Sequence, residues 1–134
     1  MSITLAHIQE AHTRIQPHIH QTPMMHSQQI NKLLGCELYF KAENLQKVGA
    51  FKARGGCNAV FSMDDESLNK GVITHSSGNH GAALAWAAAL RGATCTVVMP
   101  ENAPQVKKQA VRGYGAKVIE CIPTMADREA AVAA

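Results

Sequence analysis

Three short apolar runs, Val72 to His75, Thr94 to Met99 and Lys117 to Cys121, punctuate the second half of the chain. Each is long enough for a strand and too short for an independent helix. Between them, Asn79 to Arg91 and Pro104 to Arg112 carry helical spacing, and a further helical pattern begins at Met125. Strands that alternate with helices through short loops pair in parallel, because a parallel neighbour is reached only by a crossover. Such crossovers are right-handed. The pattern therefore predicts an α/β fold, an open parallel sheet with flanking helices. Asn79 to Arg91 is alanine-rich and apolar nearly all round, so it is expected to lie flat and buried against that sheet.

The first half reads differently. Ser2 or Thr4 caps a helix with Leu5, Ile8, His12, Ile15 and Ile19 along one stripe, which Pro17 ends near Gln16. Thr22-Pro23 is a turn into an extended piece. Ser27 caps a short helix carrying Ile30, Leu33 and Leu34, and Gly35 stops it. Glu37 to Glu43 alternates, Leu38, Phe40 and Ala42 against Tyr39 and Lys41, and is read as a strand. A polar loop follows, then a helix from Lys52 to about Met63. Gly55 and Gly56 inside it each cost about 1 kcal/mol against alanine, so something is expected to pack closely there. Asp64 to Ser67 reads as a polar break, with a domain boundary near Leu68 to Gly71.

Bulk properties narrow the function classes. A chain of 134 residues, 46% apolar, buries one modest core. Thirteen basic against ten acidic residues, net +3, is too balanced for a nucleic-acid binder. Cys36, Cys57, Cys95 and Cys121 show no CxxC spacing and are expected as reduced thiols. Met1 to His7 lacks a charged and apolar leader, and no apolar run approaches a membrane span, so a cytoplasmic location is expected. His18, His20 and His26 lack a neighbouring carboxylate or thiol, and no metal site is expected. Lys107, Lys108 and Arg112 read as a solvated helix face.

Two stretches carry chemistry. Lys52 begins the helix that follows Gly49-Ala50-Phe51, with Phe51 expected to shield it partly from water. A helix N-terminus disfavours a protonated amine, and a neutral lysine amine is the group that forms a Schiff base with a carbonyl. Ser76-Ser77-Gly78-Asn79-His80-Gly81 turns from strand to helix at the carboxyl end of a parallel strand, where open α/β sheets bind ligands. Its unpaired N–H groups suit an anion. An N-cap by Ser77 or Asn79 is the plain structural alternative, and a phosphate cradle the rival functional one.

Glu43-Asn44-Leu45-Gln46, Gly49 to Gly55, and Ser76 to Gly81, in this order and spacing, resemble the serine racemase / threonine-serine dehydratase family. These are fold-type-II, tryptophan-synthase-β-like enzymes dependent on pyridoxal phosphate (PLP). The resemblance runs from Thr22-Pro23 to the Gly113-Tyr114-Gly115-Ala116 stretch. It implies PLP held covalently on Lys52, with Phe51 against its ring and Asn79 on its phenolic oxygen. It implies a substrate carboxylate received by Ser76, Ser77, Asn79 and His80. Lys52 then moves the α-proton on one face, and Ser77 matches the residue that serves the other face in the racemases. Ala50 stands where many members have serine, which removes one hydroxyl from the cofactor's surroundings.

Family members are more than twice as long. The resemblance therefore makes residues 1–68 the N-terminal part of the large PLP-binding domain, and 69–134 most of the small α/β domain. The phosphate-binding loop and the partner of the pyridine nitrogen fall beyond residue 134. The implied activity is dehydration of L-threonine or L-serine to a 2-oxo acid and ammonia, with serine racemisation or an inactive truncated fragment as alternatives. A small amino-acid substrate and a homo-oligomer of the full-length form are expected, and nucleic acid and membrane are not. The 134 residues alone are not expected to be a competent enzyme, and Leu38, Phe40 and Val60 are expected to face water or a partner chain.

Overall fold

The computed structural model describes residues 2–134; Met1, at the head of the segment read as lacking a leader, lies outside them. Helix α1 (Leu5–Ile15) opens on a capping box. The Thr4 hydroxyl accepts from the His7 N–H, and the His7 ring accepts from the Thr4 N–H. Strand β1 (Met24–Met25) precedes α2 (Gln28–Leu34), which Ser27 caps and Gly35 ends at φ +66°, the left-handed value glycine tolerates. Strand β2 (Phe40–Lys41) pairs antiparallel with β1. The strand read over Glu37 to Glu43 thus shortens to two residues, because a strand persists only where a neighbour supplies backbone partners.

Two 3-10 turns, Glu43–Leu45 and Lys47–Gly49, lead into α3 (Lys52–Phe61). The polar stretch read as a break is itself helical. Asp64 accepts the Ser67 N–H at 2.7 Å and so starts the short helix α4 (Asp65–Asn69), whose acidic first turn suits the positive helix end. Then come β3 (Val72–His75), α5 (Asn79–Leu90), β4 (Cys95–Pro100), α6 (Gln105–Gly113), β5 (Lys117–Cys121) and α7 (Met125–Ala133). The three strands form a parallel sheet in the order β3-β4-β5, with Val72 opposite Cys95 and Thr96 opposite Lys117. Central β4 is the most buried, with Val97, Val98 and Met99 sealed from water.

Helix α5 lies between that sheet and α3, and small residues let it lie close on both sides. A Cβ on Gly81 would stand 2.9 Å from Val97 Cγ1. A Cβ on Gly56 would stand 3.0 Å from the backbone of Ala83, so the close packing expected at the paired glycines falls on Gly56. Gly55 faces open space. Val60, expected to face water or a partner chain, is fully buried within this chain, because it sits one turn beyond Gly56 on the same face of α3. Ile15, Val60, Leu84, Val97, Met99 and Val111 belong to one core that draws on both halves of the chain. Phe40 does remain 47% exposed, beside Met24, Met25 and Tyr39 on the small ladder. Cys57 and Cys95 are buried, Cys121 partly so, and Cys36 is exposed; all four thiols are free.

Lys108 overturns the solvated-face reading. Lys107 and Arg112 are exposed, but Lys108 shares the buried face of α6 with Val111, three residues on, and is 0% exposed. Its ammonium donates to the Glu101 carbonyl at 2.8 Å and to the Glu120 carboxylate at 2.6 Å.

The two neighbouring glycines of α3 provide opposite tests. Gly56→Val forces a side chain onto the Ala83 backbone and is expected to lower stability by about 1–3 kcal/mol. Gly55→Ala meets nothing and is expected to raise it by about 0.5–1 kcal/mol through helix propensity. Urea midpoints of the two variants check the pair.

Candidate active site

The loop before Lys52 is clamped to the segment His20–Thr22 by two polar side chains, one buried and one partly buried. Gln46, 3% exposed, accepts from the His20 N–H at 2.8 Å and donates to the His20 carbonyl at 2.8 Å. The Glu43 carboxylate takes Arg54 in a two-pronged bond, Nε at 2.8 Å and Nη2 at 2.7 Å, and also accepts from the Thr22 hydroxyl. Arg54 is two residues beyond Lys52, so this pair pins the first turn of α3 to the loop that leads into it. Between the two clamps the backbone is strained: Val48 sits at φ +55°, a region that β-branched residues avoid, with Gly49 at φ +68° beside it.

Helices α3 and α5 run side by side in the same direction. Gly56 and Ala83, which meet, each stand four residues beyond the first residue of their helix, Lys52 and Asn79. At the far end Arg91, the C-cap of α5, donates to the Val60 and Met63 carbonyls that close α3. The first turns of both helices therefore open at one end. There desolvation of the ring first, then the charge of Lys52, then that of His75, hold the His80 imidazole below its usual value. Neutral His80 is thus the favoured form beside Lys52.

Helix α5 opens on Gly78, and no side chain caps it among the described residues. The cap by Ser77 or Asn79 is absent; the Ser76 hydroxyl instead accepts the Gly78 N–H at 3.3 Å. Asn79 and His80 are exposed, and Ser76 and Ser77 partly buried. This leaves the first-turn N–H groups directed at solvent at the carboxyl edge of the sheet, ready for an anion. Arg128, which the sequence did not single out, lies in the helix that leaves the same edge after β5. Its Nε is buried without a partner among the described residues, a signal that exists only in three dimensions.

The expected shielding of Lys52 is not seen. Lys52 and Phe51 are both exposed, Phe51 at 59%, with the ammonium 5.1 Å from the ring centre. Phe51 ends a turn that points outward, so its ring flanks the amine without covering it. The three histidines weighed as metal ligands are occupied separately: His18 stacks on Phe61, His20 Nδ1 bonds the Leu45 carbonyl, and His26 meets Tyr39 edge-on. A cavity of about 430 Å³ lies behind the clamp, lined by His12, His20, Lys41 and Arg54 among others; it includes neither Lys52 nor the Ser76–Gly81 turn.

Glu43 sets a pH test. Arg54 first, with Thr22 and Lys41 adding to it, lowers its carboxyl from 4.5 to about 2. A depressed carboxyl stabilises the fold above its ordinary value and loses that contribution as pH falls toward the folded one. Glu43→Gln is expected to cost about 2 kcal/mol at pH 7. The gap between native and variant urea midpoints should narrow between pH 4.5 and about 2.

The family model described as "Pyridoxal-phosphate dependent enzyme" matches residues 15–134. The chain is 57% identical over 128 residues to the serine racemase of Dictyostelium discoideum, covering 96% of this chain and 40% of that protein. It is 56% identical over 119 residues to the β-hydroxyaspartate dehydratase of Paracoccus denitrificans, covering 89% of this chain and 38% of that one. The crystal structure of a threonine deaminase from T.th. superposes with a TM-score of 0.88 at 40% identity, over 98% of this chain and 41% of that chain. The chain thus spans about 40% of the length of the relatives it matches. With its parallel sheet, its lysine at the head of α3 and its open α5 turn, the chain belongs to the pyridoxal-phosphate-dependent enzymes of fold type II.

Proposed function

We propose that this chain carries the lysine and the carboxylate-binding turn of an enzyme that dehydrates L-threonine or L-serine to a 2-oxo acid and ammonia. The observation that carries this reading is the shared open end of α3 and α5, which sets an exposed amine beside unpaired helix N–H groups. The same arrangement fits PLP. Lys52 offers a primary amine in solvent, Phe51 an exposed ring face, and Asn79 an exposed amide. Those three residues would hold the cofactor, and residues 1–68 would form part of its large domain, with 69–134 closing over the substrate. PLP, when bound, withdraws electrons from the substrate's Cα and so acidifies the proton there.

The chain's own residues do the remaining work. The α5 turn and the side chains of Ser76, Ser77 and Asn79 receive the substrate carboxylate, which fixes one face of Cα toward Lys52. Neutral His80 completes that turn as a hydrogen-bonding group without adding a charge. The Lys52 amine takes the α-proton, and the β-hydroxyl departs with a proton as water. Hydrolysis then yields the 2-oxo acid and ammonia.

Serine racemisation is the second reading. The Ser77 hydroxyl on the turn would let a proton return on the face opposite Lys52, and a 57% identical relative bears the name serine racemase.

Two measurements test these roles in a chain of full family length carrying these residues. Borohydride reduction with PLP, followed by peptide mapping, is expected to place a pyridoxyl group on Lys52. Label on Lys41, whose ammonium is bonded to the Thr22 carbonyl, or on Lys47 would sink the assignment. Ser77→Ala is expected to reduce racemisation by about 10²-fold while leaving 2-oxo acid formation within a few-fold. Equal loss of both, with the cofactor's absorbance intact, would remove Ser77 from proton transfer.

A further inference from the structure

Lys108 is the one described residue whose burial contradicts its chemistry. A lysine ammonium is among the groups least often sealed from water, yet this one is 0% exposed. Neighbours on its own face of α6, such as Val111, are apolar. Its bonds point to a purpose other than filling the core. One goes to the backbone carbonyl of Glu101 at 2.8 Å, the first residue beyond β4. The other goes at 2.6 Å to the carboxylate of Glu120 on β5, which Arg112 also approaches at 3.5 Å from the outside.

The Glu101 carbonyl belongs to the turn at the centre of the sheet's carboxyl edge. Strand β4 lies between β3 and β5, so its exit is flanked on one side by the Ser76–Gly81 turn. On that side the Ser76 N–H donates to the Val98 carbonyl; on the other the Glu101 N–H donates to the Cys121 carbonyl. The β4–α6 turn, residues 101–104, is thus the middle member of three turns along the edge where the anion site opens. It is held by few backbone bonds of its own, the Ala103 N–H to the Pro100 carbonyl being one. Lys108 ties it from beneath to β5.

We infer that Lys108 is a positioning residue for the site: its ammonium, held by Glu120, anchors the Glu101 turn so that the carboxyl edge beside Ser76–Gly81 keeps one shape. This rests on the proposed reading for its effect on substrate, but the anchoring itself does not. A hydrophobic residue of similar length would fill the same space and leave the Glu101 carbonyl without its partner. A fixed turn lowers the ordering that a substrate must otherwise impose when it binds, so loosening it weakens binding more than it slows the bond-breaking step.

The test uses Lys108→Met, with Glu120→Gln as a second variant that keeps the buried lysine and removes only its charged partner. In the 134-residue chain, amide exchange at Glu101 and Ala103, whose N–H groups bond the Cys121 and Pro100 carbonyls, is expected to quicken by about tenfold or more in Lys108→Met, and less in Glu120→Gln, with α5 and β3 amides unchanged. Unchanged exchange at Glu101 and Ala103, or a uniform rise across the sheet and helices, overturns the anchoring role. In a chain of full family length the same variant is expected to raise KM for the amino acid several-fold, with kcat and the cofactor's absorbance kept. Local loosening without a rise in KM overturns the link to the site. Should the unaltered full-length chain turn over neither L-serine nor L-threonine, the functional reading fails, and the exchange measurement still decides the anchoring.

Discussion

The contact between Gly56 and Ala83 is the constraint on which the rest of the structure depends. Two helices approach this closely only where neither brings a side chain to the crossing. The cost is a glycine inside a helix, about 1 kcal/mol, and the return is a fixed register between α3 and α5. Since both contact residues stand the same distance from their helix starts, that register puts Lys52 and Asn79 at the same end. Arg91 closes the other end by satisfying the Val60 and Met63 carbonyls and pairing with Asp65. The alanine-rich character of α5 follows: it must pass close to α3 on one side and to Val97 on the other.

Much of this was legible from residue pattern. Short apolar runs separated by helical spacing identified β3, β4 and β5, and Thr4, Ser27 and Gly35 marked helix ends, because caps and periods are local properties. What the pattern missed depends on distant partners. Phe40–Lys41 has only the two residues of β1 across from it, so alternation over a longer stretch overstated the strand. Val60 looked outward when no partner for α3 was in view, and α5 supplies one. Asp64–Ser67 looked like a break because three acidic residues resemble a loop, although an aspartate cap with acids behind it also starts a helix. Lys108 was placed in solvent by its type, and the Glu101 carbonyl with Glu120, twelve residues away, explains its burial.

The candidate site divides along the same line. Lys52 and the Ser76–Gly81 turn are contiguous motifs and could be read directly. Their support could not. Gln46 reaches His20 and Glu43 reaches both Thr22 and Arg54, joining segments that no helical or strand period relates. The bare cap at Gly78 was likewise hidden behind two good capping residues on either side. That choice of cap has a functional sense. A serine or asparagine bonded to the first-turn N–H groups would fill the place an anion needs.

Charge then decides what the site accepts. Two helix N-termini and Lys52 favour an anion at the carboxyl edge. Another positive group there would be unfavourable, and desolvation together with Lys52 accordingly keeps the His80 imidazole low. On the proposed reading, a carboxylate held on this edge would bring its own Cα toward Lys52. Recognition of the acid group and choice of reaction are therefore separable. On that reading, the first rests on the first turn of α5 together with the side chains of Ser76, Ser77 and Asn79. The second would turn on which groups flank Cα opposite Lys52, the place proposed for the Ser77 hydroxyl. Such a division accords with the names racemase, dehydratase and deaminase borne by proteins similar to this chain.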